Sequence, residues 1–195
     1  MQRDRNLRLY TRNKIDWTDR FQELVGHLSE LSPKDFVLDG EAVVFDEKGR
    51  SRFGDLQAAL QSGKGDKIAF VAFDLLHFDG LSLRELPLEN RLKRLATLVP
   101  NETEVIRLSK VWPAAHGKDL FKQACATGLE GIVSKNSLGR ILEGARRDWV
   151  KSKCRARQES ITGIVDGRLC DAKKLNRNNV VLERPGSSHS HRWLP

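Results

Sequence analysis

Lys151 and Lys153 are the first residues in this chain that invite a chemical reading. They lie two apart in WVKSK (Trp149 to Lys153), and residues two apart on a strand point to the same face. Two ammonium groups side by side repel unless an anion sits between them. A stretch just upstream, LEGIVSK (Leu129 to Lys135), offers a carboxylate in Glu130 and a third cation in Lys135. A triphosphate with its magnesium suits that set. An edge strand with a solvated lysine face suits it equally and needs no ligand. Further upstream, Asp39 and Glu41 interrupt FVLDGEAVVF, and Asp74 interrupts KIAFVAFDLLHFDG. Polar breaks on several separate strands point to one shared polar cleft. Acids and lysines without a Ser-His-Asp or Cys-His pattern argue against acyl transfer. They suit phosphoryl or nucleotidyl transfer, where the protein supplies cations, metal ligands and positioning.

The elements that must hold these residues follow from periodicity. LEGIVSK and WVKSK alternate apolar and polar residues and read as buried strands. LRLYTRNK (Leu7 to Lys14) reads as an early strand. Trp17, Phe21, Leu24, Val25 and Leu28 recur at helical spacing, with Asp16 or Thr18 as the N-cap. Phe36 to Phe45 is apolar and β-branched apart from Asp39, Gly40 and Glu41, and DEKGR after it is turn chemistry. Ser51 to Leu60 returns to helical spacing. Gln61 to Lys67 is a glycine-bearing turn rather than a phosphate loop, because no helix follows it. Lys67 to Gly80 is the most apolar run and reads as a strand ending in Asp79-Gly80. Beyond Pro87, Leu88, Leu92, Leu95, Ala96 and Val99 mark the buried face of a helix. EVIRL (Glu104 to Leu108) is another strand. A helix from His116 to Thr127 is closed by Gly128 at its C′ position. Strands and short helices in irregular order, without regular strand-helix alternation, predict an α+β fold with mainly antiparallel sheets and flanking helices.

Composition bounds the rest. A chain of 195 residues suffices for one domain with a sizeable core. Its net charge of +8 favours a polyanionic partner, nucleic acid first. The segment from Lys135 to Arg157 holds eight basic residues against Glu143 and Asp148, which is +6 of that total. Cys125, Cys154 and Cys170 have no metal-type spacing, and an odd count without a signal peptide reads as a reducing cytoplasm. No apolar run approaches membrane-spanning length. From Gln158 the periodicity fades. The expected division is a body over 1–158 and an irregular, disordered tail over 159–195. His189 and His191 in that tail have no third ligand in reach and read as part of it rather than as a metal site.

Five stretches in this order, LYTRN, LDGEAVVFD, FVAFDLL, LEGIVSK and WVKSKC, resemble the ATP-dependent DNA ligases of the covalent nucleotidyltransferase superfamily. The nearest likeness is to the ligase domain of bacterial DNA ligase D, and it runs from about Leu7 to about Gln158. The resemblance implies an adenylation domain that uses ATP with Mg2+ or another divalent cation. It implies DNA as partner, a nicked or broken duplex, together with end-joining proteins or further ligase domains, in the bacterial cytoplasm at the nucleoid. By the family pattern Arg12 contacts the ribose or phosphate side of the nucleotide. Glu41 holds the ribose hydroxyls or a metal-bound water, and Phe73 stacks on adenine. Glu130 is the metal-facing acid, and Lys151 and Lys153 bind around the α-phosphate. Asp39 and Lys135 belong to the same motifs.

The departures are as informative. The family's nucleophile is the lysine of a K-x-D-G motif that precedes the LYTRN strand. The Asp-Gly pairs in this chain are preceded, two residues before the Asp, by Val37, His77 and Ile164. The small OB-type barrel that usually follows the adenylation domain has no counterpart after Gln158. The expectation is therefore a ligase-type chain that is incomplete at its N-terminus and unable to adenylate itself. The alternatives are a non-catalytic remnant that binds ATP or DNA weakly, or an RNA-ligase-like relative using the same cleft.

Overall fold

The computed structural model describes residues 7–31, 35–51, 53–141, 148–154 and 179–183. It is mixed α and β, as the element pattern predicts. β1 (Arg8–Thr11) leads through a 3-10 turn into α1 (Gln22–Leu28). β2 (Phe36–Val44), α2 (Phe53–Ser62) and β3 (Ile68–Phe78) follow, and β3 turns at Asp79-Gly80 into the short β4 (Leu81–Ser82). Then come α3 (Leu88–Leu98), β5 (Ile106–Leu108), α4 (Gly117–Ala126), β6 (Gly131–Lys135), β7 (Trp149–Lys153) and β8 (Asn179–Glu183).

The chain divides into two compact units. The first holds a sheet of order β1-β8-β2-β3-β4, antiparallel throughout, with β5 added parallel to β3. β3 is the central strand. Ile68, Ala69, Phe70, Ala72 and Leu75 are all buried, so both of its faces are covered, which is why it reads as a continuous apolar run. Leu24 and Leu28 of α1, and Leu95 and Leu98 of α3, join the same core. Burying each such side chain contributes about 1.5–3 kcal/mol.

Two findings in this unit differ from the sequence reading. β8 forms within the stretch expected to be an irregular tail, where it lies between β1 and β2. The sequence of that strand, NVVLE, carries a short β-branched run whose signal is weak beside the polar residues around it. The remainder of the expected tail, His189 and His191 included, lies outside the described residues. The second difference is the buried face of α3. It comprises Leu88, Arg91, Leu95 and Leu98, with Leu92 only partly buried and Ala96 exposed.

The second unit contains α4, most of β6, and β7. Gly128, at φ 80°, closes α4 as expected, and the Leu129 amide bonds back to the Ala124 carbonyl at 2.9 Å. β6 and β7 form a separate two-stranded sheet. The strand assignments hold but their burial does not. Val133, Trp149 and Val150 are exposed, and Ala124 is the one buried apolar residue among those described in this unit. A two-stranded sheet has two open faces, so alternation there does not imply burial. The odd cysteine count reads as a reducing cytoplasm, yet Cys125 and Cys154 are joined by a disulfide. Cys170 lies outside the described residues. Among the described residues no helix is long and apolar enough to cross a membrane.

Candidate functional site

In the first unit the candidate site begins with strand register. Asp39 on β2 lies directly opposite Asp74 on β3, and the ladder shifts register between Asp39 and Gly40. A bulge of this kind bends the strand and re-aims its side chains. Gly40 makes the close approach possible: a Cβ there would collide with the Phe70 ring and lie 2.7 Å from the Val71 carbonyl oxygen. Two carboxylates facing each other across a ladder repel. The fold answers with cations from two other elements.

Arg91, on the buried face of α3, grips Asp74 at both oxygens. Nε lies 2.7 Å from Oδ1, and Nη2 lies 2.8 Å from Oδ2. Its remaining nitrogen, Nη1, donates to the Leu86 carbonyl at 2.6 Å and the Gly139 carbonyl at 3.1 Å. Arg91 is 1% exposed and Asp74 is fully enclosed. Lys135 is the second cation. Its Nζ sits 4.3 Å from the centre of the Phe73 ring and 3.4 Å from the Phe73 carbonyl oxygen. Burial pushes the Lys135 ammonium down to about 8, against the attraction of Asp74 and Asp39.

Asp39 is the least satisfied member. Its Oδ1 is closed off from solvent without a hydrogen-bond partner. Burial first, and the charge of Asp74 second, push its carboxyl up to about 7. Between the ordinary value of 3.8 and about 7, the folded chain keeps a proton on Asp39 that the unfolded chain has released. Asp39 therefore costs stability increasingly as pH rises through that window, and costs nothing below it. Asp39→Asn is expected to match the parent chain near about pH 4 and to exceed it by on the order of 4 kcal/mol near about pH 8. Urea unfolding of both proteins across that range checks this; a constant difference at all pH values contradicts it.

Glu41 and Arg12 lie further out in the same sheet. Thr11 of β1 and Gly40 of β2 both pair with Val180 of β8, so Arg12, just past the end of β1, and Glu41, within β2, lie at the same level of the sheet. Both are exposed.

The second unit carries the other half of the predicted set. Lys151 Nζ lies 3.0 Å from Glu130 Oε2, and Lys153 Nζ lies 3.2 Å from Oε1. The two lysines do share a face, and the anion between them in this structure is the Glu130 carboxylate. Partial burial would raise the Glu130 carboxyl, but hydrogen bonds from Lys151 and Lys153 outweigh it and hold the group below its ordinary range. Gly131 lets β6 reach β7 beside this triad. It has φ 151°, and a Cβ there would collide with the Ser152 carbonyl oxygen. The Cys154 amide donates to the Glu130 carbonyl at 2.8 Å and pins the same corner.

The structure thus brings Asp39, Asp74, Phe73 and Lys135 together in one unit, and Glu130, Lys151 and Lys153 together in the other. Arg91 was not among the sequence-predicted residues. The available signal is its place at helical spacing between Leu88 and Leu95, but an arginine there reads as part of the solvated face. Among the described residues no group of three or more His, Cys, Asp or Glu side chains gathers to hold a metal ion.

Comparison with known proteins gives this geometry a family. Residues 1–153 match the family model described as ATP dependent DNA ligase domain. The multifunctional non-homologous end joining protein LigD of Pseudomonas aeruginosa is 41% identical over 159 residues, covering 81% of this chain and 19% of that protein. A probable DNA ligase of Kineococcus radiotolerans is 38% identical over 149 residues, covering 75% and 29%. Among solved structures, the ligase domain of Mycobacterium tuberculosis LigD superposes with a TM-score of 0.61 at 31% identity, covering 75% of this chain and 51% of that one. A mycobacterial DNA ligase D complexed with ATP and MES gives the same TM-score at 28% identity. The chain spans less than a third of these two curated relatives and about half of each ligase structure. The motifs, the α+β fold with its antiparallel-rich sheet, and these likenesses agree: the chain belongs to the ATP-dependent DNA ligase family and is similar to its LigD members.

Proposed function

We propose that this chain is the nucleotide-binding part of a LigD-type DNA ligase, with Lys151 and Lys153 as the cations that receive the phosphates of ATP. The observation that carries the reading is the Glu130 carboxylate bridging both ammonium groups. The pair accommodates one anion between its members, and a phosphate oxygen presents the same charge at the same scale. Displaced by phosphate, Glu130 becomes free to face a metal ion, which is the role the family pattern gives it. Glu130 brings a single carboxylate. A magnesium ion suits such a ligand because it keeps several waters and takes most of its remaining oxygens from phosphate. When bound, it neutralises charge that builds on the phosphates during nucleotidyl transfer.

The other residues position. Phe73 offers a ring face for the adenine, while Lys135 covers one face of that ring. The Asp74–Arg91 pair fixes the strand that carries Phe73. Arg12 and Glu41, at one level of the sheet, reach for the ribose and phosphate side. Lys151 and Lys153 draw electron density from the α-phosphorus and hold it for in-line attack. The attacking lysine is not among these 195 residues in its K-x-D-G setting, so this stretch binds nucleotide and DNA without forming the lysyl adenylate by itself.

DNA is the proposed polyanionic partner, engaged through the basic segment from Lys135 to Arg157. Phosphate contacts release counterions. With about four such contacts, affinity for a duplex is expected to fall roughly a hundredfold between about 50 and 200 mM salt. Nicked and intact duplex compete about equally. Fluorescence anisotropy over that salt series checks the proposal, and an affinity that barely moves would remove the electrostatic basis for DNA binding.

A further inference from the structure

We propose that Cys125 and Cys154 form a reversible redox site whose disulfide form holds the Glu130–Lys153 corner in place. Cys125 lies in the last turn of α4, five residues before Glu130. Cys154 directly follows Lys153, and its amide donates to the Glu130 carbonyl. The bridge therefore ties both chain segments that carry the triad, one on either side of it. The unit has almost no core to do this otherwise, since Ala124 is its one buried apolar residue among those described. Small, weakly cored units depend on such cross-links. Both cysteines are only half-buried, so a small thiol or disulfide can reach them.

The chemistry is thiol–disulfide exchange with a low-molecular-weight disulfide such as oxidised glutathione. One cysteine thiolate attacks a sulfur of that disulfide, forms a mixed disulfide and expels one glutathione thiolate. The second cysteine thiolate attacks the protein-bound sulfur, closing Cys125–Cys154 and expelling the other. Two protein thiols are oxidised, one small disulfide is reduced to two thiols, and the two protons pass to the departing thiolates. Opened, the corner loses its cross-link. The Lys153 ammonium then keeps its ion pair with Glu130, a weak interaction between partly exposed groups, on a strand pairing that the cross-link no longer fixes.

The test needs no nucleotide and so stands apart from the functional reading above. A Cys170→Ser chain, which retains only the two cysteines of interest, is equilibrated in glutathione buffers from reducing to oxidising, acid-quenched, alkylated and mapped by mass spectrometry. The expected result is a Cys125–Cys154 cross-linked peptide whose share follows the buffer. Acetylation of Lys153 by an amine-reactive reagent is expected to run several-fold faster in the reduced form, with Lys93 of α3 unchanged. Cys125→Ser in the same background is expected to show the fast rate in every buffer. Alkylated or glutathionylated cysteines without the cross-link, in the most oxidising buffer, would overturn the site. Equal Lys153 acetylation in both forms would overturn its coupling to the triad.

Discussion

Incubated with α-labelled ATP and magnesium, then denatured in acid, the 195-residue chain is expected to retain no label. Covalent catalysis needs a lysine held in line with the α-phosphate, and a lysine elsewhere cannot replace it without that geometry. None of the three Asp-Gly pairs has a lysine two residues before its Asp. Supplying a ligase segment with K-x-D-G and its flanking strands ahead of Leu7 is expected to convert the all-or-none result. The added lysine must be neutral to attack, and Lys151 and Lys153 disfavour a further positive charge beside them. In the extended protein, Lys151→Ala or Glu130→Ala removes most of the labelling, while replacing Lys173 changes nothing. Stoichiometric acid-stable label on the unextended chain would show that another lysine serves. Full labelling by the Lys151→Ala and Glu130→Ala extended proteins would show that the site is elsewhere.

The other large effect is on stability. Arg91→Met is expected to cost about 3–5 kcal/mol, because it leaves the Asp74 carboxylate enclosed without its cation. That is a large share of the roughly 5–15 kcal/mol that holds a domain together. The cost falls on the site directly: Asp74 faces Asp39 across the ladder, and Phe73 precedes it on β3. The double change Arg91→Met with Asp74→Leu is expected to recover much of the loss, since a buried ion pair replaced as a unit by apolar groups is often neutral. Urea unfolding of parent, single and double variants reads this out. A single variant within about 1 kcal/mol of the parent would mean that water or another group compensates Asp74.

Where the sequence is legible, local chemistry explains why. β2, β3, α3 and α4 announce themselves by periodicity, and Gly128 ends α4 where a C′ glycine belongs. The shared face of Lys151 and Lys153 follows from the two-residue repeat of a strand. What occupies the gap between them, Glu130, takes a strand pairing to establish. Asp39 and Asp74 are 35 positions apart, and a bulged ladder decides that they face each other. Register of that kind cannot be counted off a sequence. Arg91 stays hidden because its partner comes from another element, and because arginine on an amphipathic helix ordinarily faces water. The Cys125–Cys154 pairing depends on where α4 ends relative to β7, a tertiary fact. β8 is missed because five residues of modest strand character sit in a polar stretch. Strand alternation in β6 and β7 is real, but a two-stranded sheet does not bury what alternates.

The most direct measurement is ATP binding to the chain as it stands, by calorimetric titration in the presence of magnesium. The parent chain is expected to bind. Lys151→Ala and Lys153→Ala each weaken binding by about tenfold or more, the loss of one charge-assisted contact at roughly 1.5–3 kcal/mol. Lys93→Ala, on the outer face of α3, binds like the parent. Unchanged affinity in both lysine variants, with the parent still binding, would contradict the assignment of Lys151 and Lys153 to the phosphates of ATP.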